Sequence, residues 1–275
     1  TEPVPNLNGK QVFAINPDLT DDSDTTASQK LSENVGLSYI GTQKSGPFDL
    51  TEAQANAMLA ASNDNPLRTN EDVIKPWINA LDITKRSRRM WIIDFGTDTE
   101  LDEASLYQLP FAHVKEHVEP IRRNVNRSNH RENWWRFGES RPGMRRAIDG
   151  LSRFIVTPMV SKYRLFSWVS AGVIPENLLV VIARSDDYFL GVLHSRIHEG
   201  WSRRMGTQLR EAESGQRYTP STCFETFPFP WPPGKEPAGD ARVDRIAEAA
   251  RRLVALRDEW LNPPDLPEAE LKKRT

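Results

Sequence analysis

The sequence predicts an α+β fold: a mixed β-sheet packed with helices and followed by a C-terminal amphipathic helix. Short apolar runs of β-type composition and helical segments follow one another in the irregular order strand, helix, strand, strand, helix. The chain has no internal repeat with a period of about 20 to 50 residues. Its 275 residues are 38% hydrophobic and 27% charged, as in an ordinary globular protein with a substantial core.

The first half of the chain is predicted to mix strands and helices. QVFAINPDL and GLSYIGTQ are predicted as strands or strand ends, with the polar segment between them as turns. Thr51 is a predicted N-cap because helix formers follow it. RRMWIIDFG predicts a buried strand closed by Gly96. DEASLYQL and AHVKEHVEPIRRNV predict helices, and Pro120 kinks or restarts the second one.

The second half is predicted to begin with strands and end in a helix. RFIVTPMVSKYRLFSWVS predicts two strands or one bulged strand, NLLVVIARS a buried strand and YFLGVLHSRIHEGW a helix. The Pro-rich CFETFPFPWPPGKEPAGD is expected to cross the surface in an extended form. We expect its aromatic anchors to be Phe224, Phe227, Phe229 and Trp231.

The last helix is the clearest one in the sequence. Asp240 is its predicted N-cap, and Asn262, Pro263 and Pro264 stop it. Its apolar stripe, broken by Arg257, consists of Val243, Ile246, Ala250, Leu253 and Trp260. These patterns predict a main domain over residues 1–223, a connector over 224–239 and a helical segment over 240–275.

The single cysteine, Cys223, excludes an internal disulfide framework and fits a reducing cytoplasm. No apolar run approaches the roughly 20 residues that span a bilayer, and the first residues lack a signal-peptide pattern. The sequence begins at Thr1 rather than Met, so we expect a processed chain or a fragment of a longer one.

The net charge of -2 conceals a strong asymmetry along the chain. Residues 1–65 contain nine acidic residues and three lysines, a net charge of -6. Residues 120–165 contain eleven basic and three acidic residues, a net charge of +8. Ten of the eleven are arginine, which binds phosphate and guanine in bidentate fashion, so this stretch is a candidate polyanion surface. Charge alone would favour the alternative of a solvated helix face.

Aromatic and amide side chains are interleaved with these arginines. NWWRFGESRPGMRR, residues 133–146, sets Trp134 and Trp135 among four arginines, and we expect the tryptophans to be packing anchors below a basic surface. A second basic cluster, HSRIHEGWSRRMGTQLR, includes Arg204 and Arg210. The two clusters predict a DNA-binding cleft that joins the region around Arg145 with that around Arg204.

Three short motifs resemble catalytic ones without supplying a catalytic centre. HVKEH places His113, Glu116 and His117 in a zinc-protease spacing, but Pro120 follows and no third ligand is marked out. DFG at residues 94–96 lacks the other kinase motifs, and NPPD at residues 262–265 lacks the aromatic residue that follows N-P-P in DNA amino-methyltransferases. The sequence has no glycine-rich loop for S-adenosylmethionine and no P-loop.

Four long blocks carry a family resemblance. They are NEDVIKPWINALDITKRSRRMWIIDFG, RPGMRRAIDGLSRFIVTPMVSKYRLFSW, ARSDDYFLGVLHSRIHEGWSRRMGTQLR and RYTPSTCFETFPFP. Over roughly Asn8 to Leu261 the chain resembles the C-terminal part of single-chain adenine-specific DNA methyltransferases, including the MmeI-like restriction-modification enzymes. In that family a nuclease and a methyltransferase domain precede the target recognition domain.

The resemblance implies a function for this chain and for the parent chain. The chain would recognise a specific sequence in duplex DNA, with the methyltransferase domain of the same parent chain as its second partner. This portion would hold no cofactor, and S-adenosylmethionine would bind to the missing methyltransferase domain, which methylates a flipped adenine. No catalytic or metal-binding residue is predicted here.

The resemblance also points to WWRFGESRPGMRR, TPMVSKYRLFSW and the segment after LHSRIH as parts of the recognition domain. We expect about half of the DNA-contact candidates to have structural or phosphate-only roles, because half to two-thirds of protein–DNA hydrogen bonds go to the backbone. The candidates are Arg136, Arg141, Arg145, Arg146, Lys162, Arg164, Arg196, Arg203, Arg204 and Arg217.

Two other functions are open alternatives. One is a zinc-dependent hydrolase that uses the HVKEH motif. The other is a non-enzymatic interaction module that acts through the C-terminal helix.

Overall fold

A computed structural model of the chain describes residues 4–16, 24–25, 27–63, 65, 67–208, 215–271 and 273–274. The strands are β1 Asn6–Leu7, β2 Lys10–Gln11, β3 Ser38–Ile40, β4 Asp49–Leu50, β5 Ile74–Ile78, β6 Met90–Ile93, β7 Arg153–Pro158, β8 Val160–Ser161, β9 Ser167–Ser170, β10 Ile174–Pro175, β11 Leu179–Ile182, β12 Thr207–Gln208 and β13 Gln216–Arg217. The α-helices are α1 Glu52–Leu59, α2 Ala80–Thr84, α3 Leu101–Ser105, α4 Gln108–His117, α5 Glu119–Arg122, α6 Ser128–Glu132, α7 Pro142–Ile148, α8 Asp187–Leu193, α9 Arg196–Met205, α10 Ala241–Leu261 and α11 Glu268–Leu271.

The architecture is α+β, as the sequence predicts. Two sheets of four strands run in the orders β10-β5-β6-β4 and β3-β11-β7-β9, and a small sheet has the order β12-β13-β8. Among the strand pairs of these sheets, β10 with β5 is parallel and the others are antiparallel. The strands β1 and β2 form a separate hairpin.

The second sheet is buried on both faces because its central strands are mostly apolar. Along β7 and β11, Ile155 and Val180 pack toward α8 and α10, whereas Phe154 and Val181 pack toward α7. All four residues of β11 are buried. The first sheet forms its own core with α3 and α4, around Phe48.

Helix α10 packs on α8, and this contact requires a small residue. Asp240 caps α10 as predicted, with its side chain accepting a hydrogen bond from the Arg242 backbone N–H. A Cβ atom at Gly191 of α8 would lie 2.6 Å from a side-chain carbon of Ile246. The predicted stripe is therefore buried around Ala250, whereas Trp260 near its end is 60% exposed.

Four predicted elements differ from the structure. DEASLYQL is interrupted between Ser105 and Gln108, where α3 ends and α4 begins. In QVFAINPDL only Gln11 lies in a strand, because Asn8 and Gly9 form the positive-φ turn of a tight hairpin just before it; residues 17–19 lie outside the described part. YFLGVLHSRIHEGW forms two helices, because the Ser195 side chain caps α9. RFIVTPMVSKYRLFSWVS forms the strands β7, β8 and β9. The predicted helix over AHVKEHVEPIRRNV restarts at Glu119, so Pro120 acts as expected.

None of the described helices is both long enough and apolar enough to cross a bilayer. The boundaries at 223 and 239 stay a prediction. The Pro-rich segment between them contributes Phe224 and Phe227 as fully buried anchors, and Phe229 and Trp231 pack beside them.

Candidate nucleic-acid interface

Exposed cations lie on three elements at the small sheet. Strand β13 pairs with β8 in a register that sets Arg217 opposite Val160, and α9 lies beside the two strands. A cavity of about 230 Å³ at this sheet is lined by residues 161–164, 202–203 and 215–216, which include no acidic residue. We define the basic edge as the exposed side chains Lys162, Arg203 and Arg217.

The cations of the basic edge differ in whether they form hydrogen bonds or ion pairs with the protein. Within the described part of the chain, the side chains of Lys162 and Arg217 make no hydrogen bond or ion pair. Arg203 is paired with Glu199 one helical turn away, yet its side chain remains 61% exposed. Arg196 lies two turns earlier on α9, also exposed and unpaired among the described residues. These side chains are available to an external anion.

Arg164 lies below this surface, and its guanidinium forms its hydrogen bonds with the protein. It donates to the Thr157 hydroxyl at 3.0 Å, to the Gln216 carbonyl at 2.9 Å and to the Pro158 carbonyl. Its guanidinium also stacks over the ring of Tyr218 at 5.0 Å. Burial lowers the pKa of Arg164 below its usual range, because no carboxylate offsets the loss of water around the charge.

A buried histidine continues this network under the basic edge. His198 Nδ1 lies 2.9 Å from the Leu193 carbonyl, which can only accept, so Nδ1 carries the proton. Nε2 is then the acceptor for the Tyr218 hydroxyl at 3.1 Å. Burial lowers the pKa of His198 to about 3 and raises that of Tyr218, so both groups are neutral at pH 7.

The arginines of NWWRFGESRPGMRR lie apart from the basic edge, and three of them contact the protein. Arg136 donates to the Thr99 carbonyl at 2.7 Å. Arg141 has a left-handed backbone with φ 58° and donates to the Gly41 carbonyl at 3.3 Å. Arg145 forms an ion pair of 2.8 Å with the buried Asp94. Arg146 is exposed and makes no polar contact with any described residue.

The predicted cleft between Arg145 and Arg204 is not formed by the cavity around Arg145. That cavity lies between β5, the end of β6 and α7, and Arg204 is not among its lining residues. Arg204 instead donates to the Thr25 hydroxyl at 3.0 Å. Arg210 lies outside the described residues. The DNA contacts of Arg145 and Arg204 therefore stay a prediction, without support from a shared cavity.

The two tryptophans are packing residues, as expected. Trp135 is 6% exposed and donates from its indole nitrogen to the Thr99 carbonyl at 2.9 Å. Trp134 packs beside it, with 5.6 Å between its ring and that of Phe111. Both belong to the core of the first sheet, under the segment that carries Arg136 and Arg141.

The catalytic motifs form no metal centre in the described part of the chain. His113 and His117 stack on α4 with ring centroids 4.4 Å apart. No group of three His, Cys, Asp or Glu side chains that could hold a metal ion is found among the described residues. In DFG, the Asp94 carboxylate accepts from the Gly96 backbone and pairs with Arg145, a structural arrangement. Asn262 ends α10 as its C-cap.

Tyr163, which is 72% exposed at the basic edge, was not a predicted contact residue. Arg122, one of the eleven basic residues of the predicted polyanion surface, is instead buried and donates to the carbonyls of Ser45 and Lys44 at 2.9 and 2.8 Å. Its neighbours in sequence offer no signal for that burial, because both acceptors lie more than 70 residues away.

Comparisons with known proteins agree with the proposed fold. In Bacillus subtilis (strain 168), a protein named DNA methyltransferase A is 32% identical over 109 residues, covering 38% of this chain and 11% of that protein. A solved structure titled as the Type IIL restriction-modification enzyme MmeI in complex with DNA has a TM-score of 0.70 at 19% identity. It covers 96% of this chain and 35% of that one. The chain thus spans a minor part of both relatives.

A family model described as the MmeI target recognition domain matches residues 29–231, which include both large sheets and the basic edge. This match covers most of the chain. The chain therefore belongs to the MmeI target recognition domain family.

Proposed function

We propose that the chain binds a specific sequence in duplex DNA, as the target recognition portion of an adenine-specific DNA methyltransferase or restriction-modification enzyme. The observation that carries the proposal is the basic edge itself. Lys162 in a loop and Arg203 on a helix line a cavity whose described lining residues include no acidic one, and Arg217 lies on strand β13 next to Gln216, which also lines it. Exposed cations on three neighbouring elements suit a polyanion with closely spaced charges, such as a nucleic-acid backbone.

The ten predicted cations divide into two proposed roles. The exposed ones contact DNA phosphates or base edges, and these are Arg146, Lys162, Arg196, Arg203 and Arg217. The others hold the surface in shape through hydrogen bonds to the protein, and these are Arg136, Arg141, Arg145, Arg164 and Arg204. The division rests on exposure, because a guanidinium whose hydrogen bonds are made to the protein has little left for a phosphate.

Methylation belongs to the rest of a parent chain in this proposal. The chain spans 11% and 35% of the two relatives, and it contains no motif for S-adenosylmethionine. The parent's methyltransferase domain would bind that cofactor and methylate an adenine flipped out of the DNA held here. Type II restriction and a cytoplasmic location are part of the same proposal.

The test is the binding of the chain to a fluorescein-labelled duplex of 30 base pairs and mixed sequence, measured by anisotropy from 50 to 200 mM KCl. Binding is expected, with an affinity that falls steeply as salt rises. Arg217→Ala should weaken it, whereas Lys115→Ala, which removes an exposed charge from α4, should not. No binding by the wild-type chain at 50 mM KCl would refute the proposal.

A further inference from the structure

The loop between β8 and β9 presents two neighbouring side chains to solvent. Tyr163 is 72% exposed and Lys162 is exposed beside it, with the ammonium nitrogen 5.7 Å from the ring centroid. A single exposed aromatic residue is ordinary on a protein surface. This one differs because the loop that carries it is held rigidly, so its exposure is built into the fold.

Two hydrogen-bonding devices hold the loop from inside. The Ser161 hydroxyl donates to the Tyr163 carbonyl at 2.7 Å and closes the turn. Arg164, the next residue, is tied to β7 through Thr157 and Pro158 and to β13 through Gln216. One guanidinium therefore joins both neighbouring strands to the base of the loop.

A glycine holds the loop from the other side. Gly215 has φ +84°, and a Cβ atom there would lie 2.3 Å from the carbonyl carbon and oxygen of Ser161 and 2.4 Å from the Lys162 nitrogen. Only a residue without a side chain permits this backbone contact. The loop thus has a defined position relative to β13, the strand that carries Arg217.

Arg164 itself is poorly suited to contact DNA. Its donors are directed at three protein acceptors, and its guanidinium covers the ring of Tyr218 at 5.0 Å. A phosphate contact would require breaking these bonds. Lys162 and Tyr163 have no such competing hydrogen bonds from their side chains in the described part of the chain.

We propose that Lys162 and Tyr163, the exposed tip of the loop, contact the phosphate backbone of duplex DNA and are in position before DNA binds. Arg164 is the positioning residue for this tip. The inference rests on the proposed function and names two side chains that contact the DNA. The Tyr163 phenol donates to a phosphate oxygen, and the Lys162 ammonium pairs with a phosphate beside it. Because the tip is fixed before binding, its ordering costs little free energy on association.

The first experiment substitutes the tip in the full chain and measures binding to the mixed-sequence duplex. Lys162→Ala should reduce the slope of log K against log[KCl] by about 0.9, the value for one lost phosphate contact. Tyr163→Phe should weaken binding about tenfold, as expected for a lost hydrogen bond to a charged group. Both side chains are exposed, so thermal unfolding should be unchanged. Wild-type affinity and slope in both variants would overturn the assignment.

The second experiment tests the positioning role. Arg164→Lys keeps the charge, but the lysine cannot reach all three acceptors, so the loop should be released. DNA binding should then weaken about as much as it does in Lys162→Ala or Tyr163→Phe. In a double-mutant cycle against the whole tip, Arg164→Lys added to the variant Lys162→Ala, Tyr163→Ala should bind no more weakly than that variant alone. Additive losses would show a direct contact by Arg164 and contradict the positioning role.

A second variant covers the case in which Arg164→Lys does not fold. Gly215→Ala displaces the same loop from outside, and it should likewise have no effect on binding once Lys162 and Tyr163 are both alanine. The experiments distinguish a failure of the proposed function from a failure of this inference alone. If the wild-type chain ignores duplex DNA, the proposed function fails; if it binds and the tip variants bind equally well, only this inference fails.

Discussion

The buried histidine below the basic edge makes the stability of the fold depend on pH. His198 is fully buried, donates to the Leu193 carbonyl and accepts from the Tyr218 hydroxyl. Protonation of Nε2 would remove that acceptor and place a charge near Arg164, which already has no carboxylate partner. The neutral form is therefore the one that the fold requires.

The magnitude follows from the two pKa values of His198. Its pKa is about 3 in the folded chain, against an ordinary value of 6.5 when unfolded. Between these values the unfolded chain binds one more proton than the folded chain, so stability is lost as the pH falls. The slope is about 1.4 kcal/mol per pH unit, which gives a loss of about 1 kcal/mol at pH 5.5 and about 3 kcal/mol at pH 4.5.

The assay is urea unfolding at pH 7.5, 5.5 and 4.5, for the wild-type chain and for His198→Gln. Glutamine can still donate and accept but does not titrate, so the variant should lose less stability than the wild type by about 3 kcal/mol between pH 7.5 and 4.5. His117→Gln, an exposed histidine on α4, is the control and should follow the wild type. Parallel curves for the wild type and His198→Gln would refute the reasoning.

Three further substitutions test the packing that supports the surface. Arg145→Ala should reduce the free energy of unfolding by about 2 to 3 kcal/mol, because it leaves Asp94 buried without its partner. Arg146→Ala is the control and should change that free energy by less than about 0.5 kcal/mol. Equal effects of the two substitutions in urea unfolding would contradict the burial argument. Trp135→Ala should cost about 3 to 5 kcal/mol in the same assay, and a loss below about 1 kcal/mol would show that the ring is not core. Gly191→Ala should cost about 1 to 3 kcal/mol by pushing α10 away from α8, and an unchanged melting temperature would contradict that contact.

The elements that the sequence predicted well are those whose local signals agree with their burial. Helix α10 has an N-cap, a 3-4 apolar spacing and a proline stop, and it begins after Asp240 as expected. Strand β11 is a continuous apolar run and is buried on both faces. In each case the pattern of a single segment decided the structure.

Strand β5 was not among the predicted elements, and it contains Pro76, whose missing N–H disfavours a sheet interior. The structure accommodates the proline through a short parallel partner. Strand β10 pairs only with Trp77 and Ile78, so Pro76 has a neighbour on one side only, at Trp91 of β6. The pairing of distant segments, and not the local pattern, made this strand possible.

The sequence predicted how many arginines lie in the candidate region, but not which of them are exposed and which bind to the protein. Composition showed a surplus of cations between residues 120 and 165, but burial depends on partners that are remote in sequence. Arg145 meets Asp94 across 51 residues, and Arg164 meets Gln216 across 52. The sequence could therefore identify the candidate surface, while the division into exposed and occupied cations needed the three-dimensional arrangement.

The central claim is that the basic edge holds the DNA backbone. Its most direct test compares the salt dependence of duplex binding for the wild-type chain with that of the triple variant Lys162→Ala, Arg203→Ala and Arg217→Ala. Loss of three phosphate contacts should reduce the slope of log K against log[KCl] by about 2.7, with the fold intact by circular dichroism. A triple variant that binds duplex DNA with the wild-type slope would contradict the account.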